Sequence, residues 1–179
     1  MKLKHPLNTY SEKPTPCNLT REEIEQYAEG IAQGLGYKPG NSLVDCLEKI
    51  GGQVEYQEIN DWINSPDNGS IYIHGRWDFD IVLPQYTSPR RDRFTIAHEL
   101  GHYFLHSNQG EHRLIAKRQG TGRAEQEANC FAAAFLMPKK EFLEAFQKLN
   151  GDLITLSVQF GVSLQAATLR QEILSSERK

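Results

Sequence analysis

A disulfide framework is beyond this chain. Its 179 residues include three cysteines, Cys17, Cys46 and Cys130, odd in number and far apart, which suits neither a set of bridges nor a thiolate metal site. A reducing, cytoplasmic compartment is the expectation. No apolar run approaches the roughly 20 residues that span a bilayer, and the opening "MKLKHPLNTY" has positive charge with no apolar stretch behind it. Membrane insertion and secretion are therefore not expected. A surplus of one charge is lacking too. The 20 Lys and Arg against 23 Asp and Glu leave a net charge of -3, so no overall basic field points to nucleic acid. The local cluster Lys117, Arg118 and Arg123 reads as a solvated loop. Without internal repeats or low-complexity tracts, the chain has the composition of one ordinary globular domain with appendages.

Residues 1–18 hold Pro6, Pro14 and Pro16 without helical or strand period and read as a loose arm. Order begins at "TREE", where Thr20 and Glu23 can form a capping box ahead of Ile24, Tyr27, Ala28, Ile31 and Leu35 at helical spacing. A short helix from about Ser42 is expected to bury Val44, Leu47 and Ile50 and to stop at Gly51 and Gly52. The β-rich runs "QVEYQEI", "SIYIHG" and "DIVLP", separated by turn residues, predict a small mixed or antiparallel sheet. Helical spacing returns over "SPRRDRFTIAHELGHYFLH". The stretch from Ser107 to Gly122 carries Gly110, Gly120 and Gly122 and only Leu114 and Ile115 as large apolar residues. It predicts a long, weakly buried, mobile loop beside the site. A helix from about Arg123 ends before Pro138, and two further helical regions follow, the second broken at Gly161. The fold class is α+β, mostly helical.

The chemistry lies in "RFTIAHELGHYFLH". Four residues turn an α-helix by roughly 400°, so His98 and His102 project from one face and can share one ion. Glu99, about 100° from His98, flanks the metal and can act as general base on a water molecule. Gly101 costs about 1 kcal/mol against alanine inside a helix, which makes sense if another backbone passes close by. A catalytic zinc with an open position takes three protein ligands, and the helix beginning "AEQEAN" supplies two candidates. Glu127 borders the apolar face of its helix. Glu125 has Asn129 four residues on, where the amide could orient a ligand histidine. Glu125 is the choice, with Glu127 as the fallback. His106 continues the four-residue interval, but α-helical rotation of about 40° per step carries it away from the ion, so a structural or supporting role is expected. Tyr103, His112 and Arg123 are candidate donors to the oxyanion of peptide hydrolysis, and Cys130 reads as a small core residue.

"RFTIAHELGHYFLH" followed by "EQEANCFAAAFLMP" resembles the ImmA/IrrE family of zinc metallopeptidases, over about residues 20–170. The resemblance implies that His98, His102 and Glu125 bind one zinc ion and that Glu99 is the catalytic base. It also implies a zincin-like fold and cleavage of a DNA-binding repressor that controls a mobile-element or stress programme. On this reading residues 19–150 form the metallopeptidase domain, and residues 151–179 form a helical pair packed on it. That pair, "LSVQFGVSLQAATLRQE", has the look of a helix-turn-helix, with Ser163 able to cap its second helix. Its presumed recognition helix offers Gln165, Thr168, Arg170 and Gln171, too few cations for phosphate contacts, so direct DNA binding is not expected. The competing function is a non-catalytic, zinc-braced regulator that binds a repressor partner or DNA.

Overall fold

The structure, a computed structural model, describes residues 9–11, 13–58, 69–117 and 121–176. Helix α1 (Arg21–Gly34) starts at the expected capping box: Thr20 Oγ1 accepts from the Glu23 N–H at 3.3 Å, and the Glu23 carboxylate accepts from the Thr20 N–H at 2.8 Å. Ile24, Ala28 and Ala32 form its buried face. Helix α2 (Val44–Glu48) corrects the expected inward face. Val44 is 44% exposed, while Leu43, Cys46, Leu47 and Ile50 are buried. Those positions keep the helical interval but begin one residue earlier, and a five-residue helix is too short for periodicity to fix its phase.

Strands β1 (Gly52–Tyr56), β2 (Ser70–Gly75), β3 (Asp78–Leu83) and β4 (Leu114–Lys117) form one sheet in the order β1-β3-β2-β4. β1 runs parallel to β3, and the β2–β3 and β2–β4 pairs are antiparallel, so the sheet is mixed. β4 lies within the stretch expected to be a weakly buried loop, and it corrects that expectation. Leu114, Ile115 and Ala116 are all buried. A strand covered on both faces has no polar alternation to betray it, and four residues are too few to stand out. Arg118 to Gly120, the remaining part of that loop before Thr121, lie outside the described residues. The outer edge of β4 takes up Ser11: its N–H donates to Arg113 O at 2.9 Å and its carbonyl accepts from Ile115 N–H at 2.8 Å. Tyr10 beside it is buried, its hydroxyl 2.6 Å from His74 Nδ1. Part of the segment read as an arm is thus docked on the sheet.

Helix α3 (Pro89–Gly101) is capped by Ser88, with proline in its first turn, and runs directly into a π-helical turn, His102–His106. Helices α4 (Arg123–Leu136), α5 (Lys139–Lys148), α6 (Leu153–Phe160) and α7 (Leu164–Ser176) complete the described chain. Phe79 stacks on Tyr103 at 4.3 Å between ring centres, and Phe131 stacks on both Phe104 and Phe135, which ties the sheet, the π-turn and α4 into one core. α6 ends at Gly161 in the left-handed conformation, and Ser163 Oγ accepts from Ala166 N–H, as the turn chemistry predicts. On α7, Arg170 is buried, ion-paired with Glu25 at 2.8 Å and donating to Met137 O at 3.2 Å. The one cation of the presumed recognition helix therefore faces the protein interior.

α3 and α1 both pack on α4, and Gly101 of α3 lies directly against Ala128 of α4. A Cβ there would stand 2.9 Å from Ala128 Cα and 3.2 Å from Ala128 O. Helix propensity alone favours alanine at position 101 by about 1 kcal/mol. Overpacking against a backbone that cannot rotate away costs roughly 1–3 kcal/mol. The second effect should win: Gly101→Ala should lower the urea midpoint at unchanged slope. A raised midpoint would mean that the two helices separate without cost.

Candidate metal centre

The sequence splits the site between two helices, and the Gly101–Ala128 approach joins them. His98 and His102 lie at the end of α3 and the start of the π-turn, both with no solvent exposure. Glu125, in the first turn of α4, reaches between them: His98 Nε2 to Glu125 Oε2 is 3.2 Å, and His102 Nε2 to Glu125 Oε1 is 3.3 Å. The two Nε2 atoms are 3.2 Å apart. Glu127, the alternative, points instead to His106, with its Oε2 3.1 Å from His106 Nε2.

Hydrogen bonds determine which atoms of this cluster carry lone pairs. Asn129 Oδ1 lies 2.9 Å from His98 Nδ1 and accepts its proton, which leaves His98 Nε2 as an acceptor. His106 Nε2 donates to the Glu127 carboxylate, so the neutral ring offers only its Nδ1 lone pair to His102 Nδ1, 2.9 Å away. His102 must donate there, and its Nε2 is likewise an acceptor. Acceptor atoms of three residues therefore converge: the two Nε2 atoms 3.2 Å apart, with one Glu125 oxygen 3.2 Å from His98 and the other 3.3 Å from His102. Two ligand atoms bound tetrahedrally to an ion at zinc-like distances stand about 3.3 Å apart. Each of these separations is close to that spacing, and two imidazoles and one carboxylate are a donor set that suits a divalent metal. The fit rests on both the spacing and the tautomers.

Burial pushes the pKa of His102 down to about 4, helped by the neighbouring His98 and His106 and opposed by Glu125. His106 is also lowered, first by burial. Burial alone would raise Glu125, but the His102 and His98 rings that face it outweigh this, and it lies well below the usual carboxylate range. For Glu127 burial is likewise outweighed, here by the Cys17 N–H at 2.8 Å, His106 and the Arg123 guanidinium at 3.0 Å. Neutral imidazoles and an ionised carboxylate are the protonation states a metal requires.

Glu99 is fully buried on α3, one residue after His98. Gly69, entering β2 at φ +121°, lets the backbone run against it: a Cβ at Gly69 would meet Thr95 Cγ2 at 2.5 Å and Glu99 Oε1 at 3.4 Å. No motif in the sequence marked Gly69. The oxyanion candidates fare differently. Tyr103 is buried against Phe79, its hydroxyl donating to Gln109 O and accepting from Trp77 N–H, so it is committed elsewhere. Arg123 is engaged with Glu127, and His112 lies exposed on the segment before β4. Two cavities border the cluster without containing its ligand atoms. One, of about 1100 Å³, meets it through Asn129, and the other, of about 740 Å³, through His106.

The family model described as "IrrE N-terminal-like domain", a metallopeptidase family, matches residues 56–172. A solved Mycobacterium tuberculosis transcriptional regulator is similar in fold, with a TM-score of 0.57 at 23% identity, covering 84% of this chain and 46% of that protein. The chain thus spans a little under half the length of that regulator. No curated protein matches by sequence.

Because the unfolded chain takes up the His102 proton near the ordinary value of 6.5 and the folded one only near 4, the sign is fixed. Stability of the metal-free protein should be full above 6.5 and fall by about 3 kcal/mol as pH drops towards 4. Urea unfolding at stepped pH measures this. His102→Gln, which lacks the titrating ring, should lose less over the same window. Equal losses would mean that the His102 ring is not held neutral.

Proposed function

The chain belongs to the IrrE N-terminal-like domain family, whose model covers well over half of it, and from that premise we propose that it is a zinc-dependent endopeptidase. Its substrate, on this reading, is a DNA-binding repressor of the helix-turn-helix type. The observation that carries the proposal is the convergence of acceptor atoms from His98, His102 and Glu125. These three residues would hold one zinc ion, leaving a fourth position open. Zinc supplies a Lewis acid, which lowers the pKa of water towards about 7 and polarises a peptide carbonyl.

The protein's own part is proton transfer and orientation. Glu99 takes a proton from the attacking water as the new C–O bond forms, and gives it to the departing amine nitrogen as the C–N bond breaks. Its burial beside Gly69 keeps competing bulk water away from the carboxylate. Asn129 fixes the His98 ring so that Nε2 faces the metal. Residues 19–150 carry this chemistry, with 151–179 as the appended helical pair. The repressor substrate rests on the family resemblance of the two motifs. The similar mycobacterial protein is itself a transcriptional regulator, which agrees with a regulatory substrate. A cytoplasmic location follows from such a substrate, and no described helix is long and apolar enough to cross a membrane.

Glu99→Gln should keep one zinc per chain yet slow cleavage at least about 100-fold. The assay is incubation with a helix-turn-helix repressor encoded beside the gene, with the cut mapped by mass spectrometry. His98→Ala should lose the metal. Undiminished cleavage by Glu99→Gln would remove Glu99 from the mechanism, and action only at mole-for-mole amounts would favour the non-catalytic, zinc-braced regulator.

A further inference from the structure

The cluster has a second tier. His106 stands between His102 and Glu127, Nδ1 to Nδ1 at 2.9 Å on one side and Nε2 to Oε2 at 3.1 Å on the other. In a regular α-helix it would have rotated about 40° past His102. The π-helical turn over His102–His106, closed by Ser107 N–H on His102 O at 3.1 Å, removes that rotation, since an i→i+5 turn advances each residue by less than the α-helical step. Glu127 is in turn fixed: the Cys17 N–H donates to its Oε2, and Arg123 Nε donates to its Oε1. We propose that Glu127 and His106 form a relay that holds His102 in its Nδ1–H tautomer and strengthens it as a metal ligand, making both positioning residues that set the site's zinc affinity. The inference rests on the reading that His98, His102 and Glu125 hold zinc.

The relay explains an asymmetry between the two ligand histidines. His98 donates to a neutral amide, whereas His102 donates into a path that ends on a carboxylate, and an anion at the far end of a hydrogen-bonded path draws the proton from the ring and raises the basicity of its other nitrogen. It also explains why the π-turn is there, as such turns interrupt an α-helix mostly at functional positions.

Cys17, His106 and Glu127 also lie close enough to one another to suggest a second ion. The hydrogen bonds argue against it. Both Glu127 oxygens already accept from protein groups, and burial pushes the Cys17 thiol up, away from the thiolate a metal needs.

Zinc competition with a chromophoric chelator tests the relay in the full chain. His106→Ala should weaken zinc binding roughly 10- to 100-fold, and Glu127→Gln, which still accepts from His106 but lacks the charge, by less. A structural role alone would not change the tautomer, so the second readout is the imidazole ¹H–¹⁵N spectrum of the zinc-free protein. It should show His102 as a single Nδ1–H form in the wild type and in Glu127→Gln, and as a mixture in His106→Ala. His106→Asn, whose Oδ1 can stand where the ring Nδ1 does, should restore the single tautomer and part of the affinity. If zinc binds the wild type and is lost in His98→Ala but holds equally in His106→Ala and Glu127→Gln, the relay alone is overturned. Two zinc ions per chain, one of them lost in His106→Ala, would overturn it in favour of a second metal site. Absence of zinc from the wild type would overturn the parent reading and the relay with it.

Discussion

Everything at the candidate centre depends on how closely two helix backbones approach. Glu125 is a short reach from His98 and His102 only because α4 lies against α3 with no side chain between Gly101 and Ala128. A typical helix pair stands 8–10 Å apart, with side chains filling the gap. Here the contact has no side chain on the α3 face, and it falls within one turn of the candidate ligands on each side. Gly101 sits three residues after His98, and Ala128 three after Glu125. The same juxtaposition brings Asn129 to His98, so a single close contact sets both a ligand and the group that orients another.

The arrangement carries an electrostatic cost that the chain manages in series. Burying a carboxylate without compensation costs several kcal/mol, and Glu99, Glu125 and Glu127 are all buried, the last two against histidines. Glu127 is met by a backbone N–H, an imidazole and a guanidinium. Glu125 lies against two nitrogens whose protons are drawn to the other side of their rings. The first group is satisfied by the protein alone. The second converges as acceptors, an arrangement that a cation stabilises. The site is therefore divided into a part built to hold its shape and a part built to take up positive charge.

The spacing of His98 and His102 and the position of Glu99 were legible in the sequence because helical rotation over four residues is nearly one full turn. The capping box at Thr20, the stop at Gly161 and the cap at Ser163 were legible for the same kind of local reason. The choice between Glu125 and Glu127 was not settled by local geometry, since each has a plausible partner one turn along α4, and only the crossing with α3 separates them. His106 was expected in a structural or supporting role, and the π-turn, which α-helical rotation does not foresee, sets its ring against His102. β4 was hidden by its shortness and its two-sided burial. Its partner β2 lies some forty residues earlier, a pairing that no local window reveals.

The described contacts also show why the placement of α4 cannot be understood from the family match alone. That match begins at residue 56, yet α1 packs along α4 and the Cys17 N–H holds Glu127, both before it. At the other end of α4, Arg170 of α7 donates to Met137 O and pairs with Glu25 of α1. α4 is thus clamped at its first turn by the segment before α1 and just past its last turn by the C-terminal helical pair. Breaking a buried pair such as Arg170–Glu25 leaves an uncompensated charge, at a cost of about 3–5 kcal/mol. Most of that cost would fall on the attachment of α1 and α7 to α4. Since Glu125 is carried by α4, its distance from the histidines is governed by residues that bear no ligand and lie far from the motif in sequence. The helical pair resembling a DNA-binding turn is accordingly part of the scaffold of the candidate centre, with its central arginine used to hold the helices together.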